Sequence, residues 1–261
     1  MKGLKKHTHK DREEIIKKMI PMIKKKFGKN LIALAAQASF ARNEDRDYSD
    51  LELIAFVKKM PRGKKWAGIG KIKDGLMVEL VWQTKEDYIK STLEINDYWY
   101  ISGSDKLIPL INKKFIKAIQ NYKTKNFKKK CLNFAAKNWY EAQESTAKVL
   151  NAIAQKNRDG LSLLAPDMFL RILIVLSFLN QKPYTTFARF VTEAKRFRIK
   201  PRGFNKLAEI MIHGEYSNLP KLEKIVRRVF SEFEKIFEAL GIDPYEDNLD
   251  PNIPYKRDFF D

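Results

Sequence analysis

The sequence has a single cysteine, Cys131, among 261 residues. It therefore forms no intrachain disulfide and cannot build a thiolate-rich zinc centre. Long apolar runs are also missing. The longest charge-free stretches, 31–41 and 172–181, span about ten residues each, against the ~18–20 a membrane helix needs, so no membrane association is expected. The opening Met-Lys-Gly-Leu-Lys-Lys-His has no apolar core, which argues against a secretory signal and for a cytoplasmic protein. No Gly-rich phosphate loop of the P-loop kind, no nucleophile elbow, no internal repeat and no low-complexity tract is found. What is abundant is positive charge: 51 Lys+Arg against 32 Asp+Glu, a net +19. With 44% hydrophobic and 12% aromatic residues, the chain is too apolar for a disordered tail. It is long enough for one large domain or two modest ones. Nucleic acid, nucleotide and acidic membrane all suit such a charge, and charge alone does not choose among them.

Along the chain the texture changes near residue 104. Before it, Ile15, Met19, Ile23 and Phe27 step at i+4 and predict an amphipathic helix over 11–27, with Pro21 kinking or splitting it and Gly28 ending it. Strands are expected at 31–39, 50–57 and 76–82, the last behind a hairpin turn at Lys73-Asp74-Gly75. After residue 104, helical spacing covers 104–121, 127–157, 167–181, 186–198, 204–213 and 218–240. Breaks are expected at Gly160, Pro166, Pro183, Pro201-Arg202-Gly203, Gly214 and Pro220. Strands first and helices afterwards is the α+β pattern with an added helical domain. The tail from Gly241, carrying three prolines and several acids, reads as an extended arm. Residues 111–130 hold eight lysines and no acid, and 182–206 hold eight Lys/Arg against Glu193 alone. Solvated helix faces explain such runs; a polyanion surface is the sharper reading.

The chemistry is concentrated in Ala35-Ala-Gln-Ala-Ser-Phe-Ala-Arg42 and Tyr48-Ser-Asp50-Leu-Glu52-Leu. On a strand, residues i and i+2 share a face, so Asp50 and Glu52 project together while Leu51 and Leu53 face the core. Glu79 sits likewise between Val78 and Leu80. If the two strands are neighbours, three carboxylates converge, and like charges that close raise one another's pKa unless a cation neutralises them. Hard oxygen ligands select Mg²⁺, which keeps open positions for substrate phosphates. Ordinary polar-out alternation also explains an isolated Asp-x-Glu.

The surroundings resemble the nucleotidyltransferase fold of polymerase-β-type enzymes, and more closely the kanamycin nucleotidyltransferase family, over most of the chain. The similar stretches are Ser39–Arg42, Tyr48–Glu52, Val78–Leu80, Glu144–Asn151, Tyr184–Ala188, Thr192–Ala194, Pro201–Phe204 and the helix from Leu219. The resemblance implies a nucleotidyltransferase domain over 1–125, with a mixed sheet and helices, and a helical bundle domain with the tail over 126–261. It implies transfer of NMP from an NTP, with ATP the expected donor, to an acceptor hydroxyl with release of pyrophosphate. Carried over, Asp50 and Glu52 hold Mg²⁺ with Glu79 as third acid, Ser39 and Arg42 meet the phosphates, Glu144 is the general base and Lys148 meets a phosphate. Helical geometry independently puts Glu141, Glu144, Lys148 and Asn151 on one stripe, although Glu144–Lys148 also reads as an ordinary surface pair. A homodimer is implied, each subunit lending its Glu144 to the other's site. The acceptor stays open between an aminoglycoside-like sugar and, as second choice, nucleic acid, which suits the charge. The chain has Ala38 and Ala41 where the family's loop has glycine, a residue used there for close backbone approach and positive φ. A degenerate member that binds nucleotide or nucleic acid without turnover is the alternative expectation. His7 and His9 read as part of a frayed start, His213 as a helix-end residue, and Cys131 as a buried inert thiol.

Overall fold

A computed structural model describes residues 3–245, 250 and 252. The chain divides into two compact units, Met1–Thr124 and Lys125–Asp261. In the first, α1 (His9–Phe27) leads to β1 (Leu31–Ala36), the short turn α2 (Ala38–Ala41), β2 (Leu51–Val57), β3 (Trp66–Lys73) and β4 (Leu76–Gln83). Two further short helices, α3 (Lys85–Tyr88) and α4 (Trp99–Ser102), precede β5 (Ile108–Ile111) and α5 (Lys113–Gln120). The strands form one mixed sheet in the order β3-β4-β2-β1-β5, with β2 and β4 parallel and the other neighbours antiparallel.

The local reasons are plain. Thr8 caps α1 in a reciprocal capping box with Asp11, and three lysines complement its last turn. This corrects the expectation of a frayed start at His7–His9. Pro21 sits inside α1 without splitting it; Ile16 and Ile23 are buried, while Ile15, Met19 and Phe27 pack partly against the same core. Asp74 and Gly75 turn β3 into β4 with φ of +51° and +84°, the left-handed pair that a two-residue hairpin needs. One face of the sheet packs Leu34, Leu51, Leu53, Val78 and Leu80 under α1. The other packs Ala33, Ala35, Ile54 and Phe56 against Tyr88, Ile116 and Ile119.

Two expectations for this unit change. The strand expected over 31–39 stops at Ala36, so Ser39 lies in the α2 turn. The helix expected over 104–121 is β5 followed by α5, because 108–111 pairs with β1 and sheet pairing overrides local helical spacing.

The second unit is helical: α6 (Phe127–Ala154), α7 (Arg158–Leu179), α8 (Phe190–Ala194), α9 (Phe204–His213) and α10 (Leu219–Ala239). Its core gathers Trp139 from α6 against Phe230, Phe233 and Phe237 from α10. The expected breaks at Gly160 and Pro166 fall inside α7. Gly160 is in its first turn, where its N–H donates to the Asn157 side-chain cap, and Pro166 is carried by a helix whose residues 172–179 are all buried. By length and hydropathy α7 could cross a membrane, but most of it is enclosed as the core helix of this unit. Pro220 begins α10 rather than breaking it, as its missing N–H allows in a first turn. The 186–198 segment holds only a 3₁₀ turn (Phe187–Arg189) and the short α8. Cys131 is buried, and burial pushes its thiol up to about 12. His213 closes α9 beside Gly214 and pairs with Glu209. Of the expected tail arm, 241–245 is non-helical; the remainder, apart from Asp250 and Asn252, lies outside the described residues.

Candidate active site

The acidic end of the first unit is built by the β2–β4 pairing. Their parallel register sets Glu52 level with Glu79, so both side chains leave the same face of the sheet, and Asp50 directly precedes β2. Glu52 is tied to the end of β1 twice. The Gln37 N–H donates to the Glu52 carbonyl at 3.0 Å, and Gln37 Nε2 donates to Glu52 Oε2 at 3.1 Å. Burial pushes the Glu52 carboxyl up to about 7, with the Asp50 charge the next cause; the Gln37 hydrogen bond offsets part of this, and Asp105 and Glu79 add to it. Asp105, in the segment before β5, is itself raised to about 6 by burial, with Arg42 pulling the other way. Gln37 and Asp105 carry no sequence signal. Gln37 lies beside the motif without matching it, and Asp105 is far from it along the chain.

Four carboxyls thus crowd a partly buried region. Among the described residues no three acidic, histidine or cysteine side chains form a ready-made metal cage. The donor set nevertheless suits Mg²⁺, which is ordinarily held by one or two carboxylates with phosphates and water completing its shell. A cavity of about 280 Å³ beside Asp50 is lined by Lys5, Tyr48, Ser49, Ile72 and Met77, among others. Another, about 630 Å³, is apolar and lies under α1 at Ile15, Met19, Val78 and Leu80, on the face of the sheet away from Glu52.

The loop between β1 and β2 is organised by Arg12, which is fully buried in α1. Its Nε donates to the Ser49 carbonyl (3.2 Å), Nη2 to that of Arg46 (2.8 Å), and Nη1 to His7 O (2.9 Å) and Asp45 Oδ2 (3.1 Å). Asp45, buried in turn, also meets His9 Nδ1 at 2.7 Å, and the His9 ring stacks on Phe40 of α2 at 4.3 Å. A side chain on α1 therefore determines where Asp50 leads into β2. Within the loop, Ser39 lies in α2 and Arg42 pairs with Glu44 at 3.1 Å. Ala41 has ordinary helical backbone, but Ala38 holds φ of +56°, the left-handed region that favours glycine.

In the second unit Glu144 and Lys148 form an i,i+4 ion pair at 2.8 Å, both about half exposed. Glu141 faces Arg171 (3.5 Å), which also reaches Asp167 (3.6 Å), and the Ser145 hydroxyl donates to Asp167 (2.6 Å). Glu144 bonding raises the Lys148 pKa, so Lys148 is a cation across the neutral range. Asp50, Glu52 and Glu79 are brought together on one sheet; Glu144 and Lys148 are brought together on one helix.

Two outcomes are expected. Arg12→Met leaves the buried Asp45 with His9 as its partner, strips the Ser49 and Arg46 carbonyls of their donor, and costs about 3 kcal/mol in urea unfolding; adding Asp45→Asn recovers part of that loss. Glu52 has a raised folded-state pKa, so its contribution to stability is fully present below about 4.5 and lost as pH rises through about 7. In metal-free buffer Glu52→Gln therefore melts higher than wild type at pH 8, by no more than ~3 kcal/mol at 1.36 kcal/mol per pH unit. The difference vanishes below about pH 4.

A solved structure of a nucleotidyltransferase-like protein from Exiguobacterium sibiricum 255-15 is similar over 87% of this chain and 80% of its own, at 10% identity and a TM-score of 0.47. A likeness of that size leaves the fold to be judged on the chain's own topology. No curated protein matches the sequence. The KNTase C-terminal domain model matches residues 111–243, just over half of the chain. This chain therefore belongs to the kanamycin nucleotidyltransferase-like family.

Proposed function

We propose that the protein is a Mg²⁺-dependent nucleotidyltransferase that moves NMP from an NTP, with ATP the expected donor, to an acceptor hydroxyl. The observation that carries this reading is the partly buried, charge-crowded Glu52 beside Asp50, Glu79 and Asp105, at the mouth of the turn bearing Ser39 and Arg42. A carboxyl held near pKa 7 by burial, and next by the Asp50 charge, is poised to be ionised by an arriving cation. Asp50 and Glu52 would hold Mg²⁺, with Glu79 as third acid. The ion supplies charge neutralisation on the triphosphate when bound. Gln37 keeps the Glu52 carboxylate oriented. Ser39 offers a hydroxyl to the phosphates, and Arg42 exchanges its Glu44 partner for a phosphate oxygen. Glu144 takes the proton from the acceptor hydroxyl as that oxygen attacks the α-phosphorus and pyrophosphate leaves, and Lys148 pairs with the phosphate charge. In the homodimer the family resemblance implies, the base would be Glu144 of the partner subunit. The acceptor is proposed as a hydroxyl-bearing sugar of the aminoglycoside type, with a polynucleotide end as the second choice.

One observation favours the second reading, a member that binds without turnover: the strained Ala38 in the loop that must approach phosphate. Calorimetry with Mg²⁺ and a non-hydrolysable ATP analogue tests the nucleotide site that both readings share, and pyrophosphate release with hydroxyl acceptors, at background for the second reading, separates them. Binding that requires Mg²⁺ and falls at least tenfold in Asp50→Asn is the expected outcome, whereas no binding by wild type removes the transferase reading. Ala38→Gly relieves the left-handed strain, and its expected effect is a gain of up to ~1 kcal/mol in stability with tighter analogue binding. Weaker binding in that variant would clear Ala38 as the obstacle.

A further inference from the structure

The first unit is electrically polarised along its strands. The acids just described lie where β1 ends and β2 begins. At the opposite end of these strands, the last turn of α1 carries Lys24, Lys25 and Lys26, followed by Lys29. The β2–β3 connection adds Lys58, Lys59, Arg62, Lys64 and Lys65, all exposed. No acid occurs between residues 15 and 43 or between 53 and 73. Asn30 joins the two segments: its carbonyl accepts from Lys58 N at 2.9 Å, and its side chain exchanges hydrogen bonds with both backbone groups of Lys59. Lys26 lies 4.3 Å from the Trp82 ring of β4 on the α1 face of the sheet, whereas Trp66, paired with Gln83, is on the opposite face with Glu79. The acids that follow β4 are Glu86 and Asp87, and Asp87 is engaged by Thr84. Two basic segments distant in sequence are thus held as one cationic end.

An aromatic ring completes it. Trp66, the first residue of edge strand β3, is 65% exposed. By strand alternation it shares a face with Gly68 and Gly70. Those glycines leave the strand bare, so a flat ring can lie against it beside the indole. Gly70 is paired with Glu79, so the bare track leads from the cationic end toward the acids, roughly 13 Å at 3.3 Å per residue.

We infer that this end of the first unit, from Lys58–Lys65 onto Trp66 and the glycine track, with Lys24–Lys29 flanking it beyond Asn30, is a binding surface for single-stranded polynucleotide. The lysines and Arg62 meet backbone phosphates, Trp66 stacks on a base, and the glycine track points the strand toward Glu79. Cations interleaved with an exposed ring on a sheet are what sequence-tolerant single-strand binding requires. A bilayer would need a grouped apolar surface to insert rather than a bare glycine strand. Binding here needs neither nucleotide nor metal, so its test stands apart from the transferase reading.

The test is fluorescence anisotropy of a labelled 20-nucleotide single-stranded RNA, in EDTA and without NTP, across a salt series. Wild type is expected to bind, with log affinity falling linearly as log salt rises. Reversing Lys58, Lys59, Lys64 and Lys65 to Glu should lower affinity at least tenfold and flatten the salt slope by about 0.7 for each phosphate no longer neutralised. Trp66→Ala should lower it about tenfold with the slope unchanged. Reversing Lys206 and Lys224, exposed in the second unit, should change it less than twofold. These side chains are all exposed, and circular dichroism checks that each variant is folded. Equal losses from both reversals, or no effect of Trp66→Ala, would overturn the surface. So would anionic phosphatidylserine vesicles binding through these lysines while the RNA does not.

Discussion

Parallel pairing of β2 with β4 is the constraint on which the acidic end depends. Antiparallel neighbours could be joined by a tight turn, but a parallel pair needs a crossover, and here β3 supplies part of it before doubling back onto β4. The register that follows sets Glu52 beside Glu79 and buries the Leu51, Leu53, Val78 and Leu80 set beneath α1 on the other face. A slip of one residue would exchange those faces, burying the carboxylates and exposing the leucines. The hydrophobic core and the charged cluster are consequences of one alignment, and neither can move without the other.

The loop that feeds β2 is held by charge rather than by apolar packing. Arg12 satisfies backbone carbonyls of Ser49 and Arg46 and the carboxylate of Asp45, so the segment has a guanidinium at its centre. A buried ion pair of this kind adds little net stability over an apolar substitute, but it is demanding in geometry. It defines the start of β2 and hence the placement of Asp50. Close by, Ala38 tolerates a left-handed backbone at a cost of about 1–2 kcal/mol, consistent with a segment whose conformation is imposed by its surroundings. His9 belongs to the same arrangement through Asp45 and Phe40, which is why a start rich in lysine is an ordered helix cap.

Several elements are legible because their signals are local. Asp50, Glu52 and Glu79 stand out by period-two alternation, and the turn at Asp74-Gly75 by its residue types. The starts and ends of α9 and α10 follow from their flanking glycines, Asn218 and Pro220. The exceptions have one cause. β5 reads as helix because its four residues acquire strand character only through β1. Gly160 and Pro166 read as breaks because a local rule cannot weigh them against the burial that sustains α7. Gln37, Asp105 and Arg12 are invisible as site residues, since each acts on a partner at least fifteen positions away.

By itself, then, the sequence determined the α+β class, the excess of positive charge, the acidic motif and the family resemblance. The first three follow from composition and from spacing at the helical and strand periods, which one segment carries without help; the resemblance rests on the match of short motifs along the chain. Tertiary structure alone decided the β2–β4 register, the burial and crowding that lift Glu52 to about 7, the φ of Ala38, and the joining of Lys24–Lys29 to Lys58–Lys65 through Asn30. Each of those is a relation between segments far apart in the chain. A pairing or a buried charge acquires its energy only when both partners are in place.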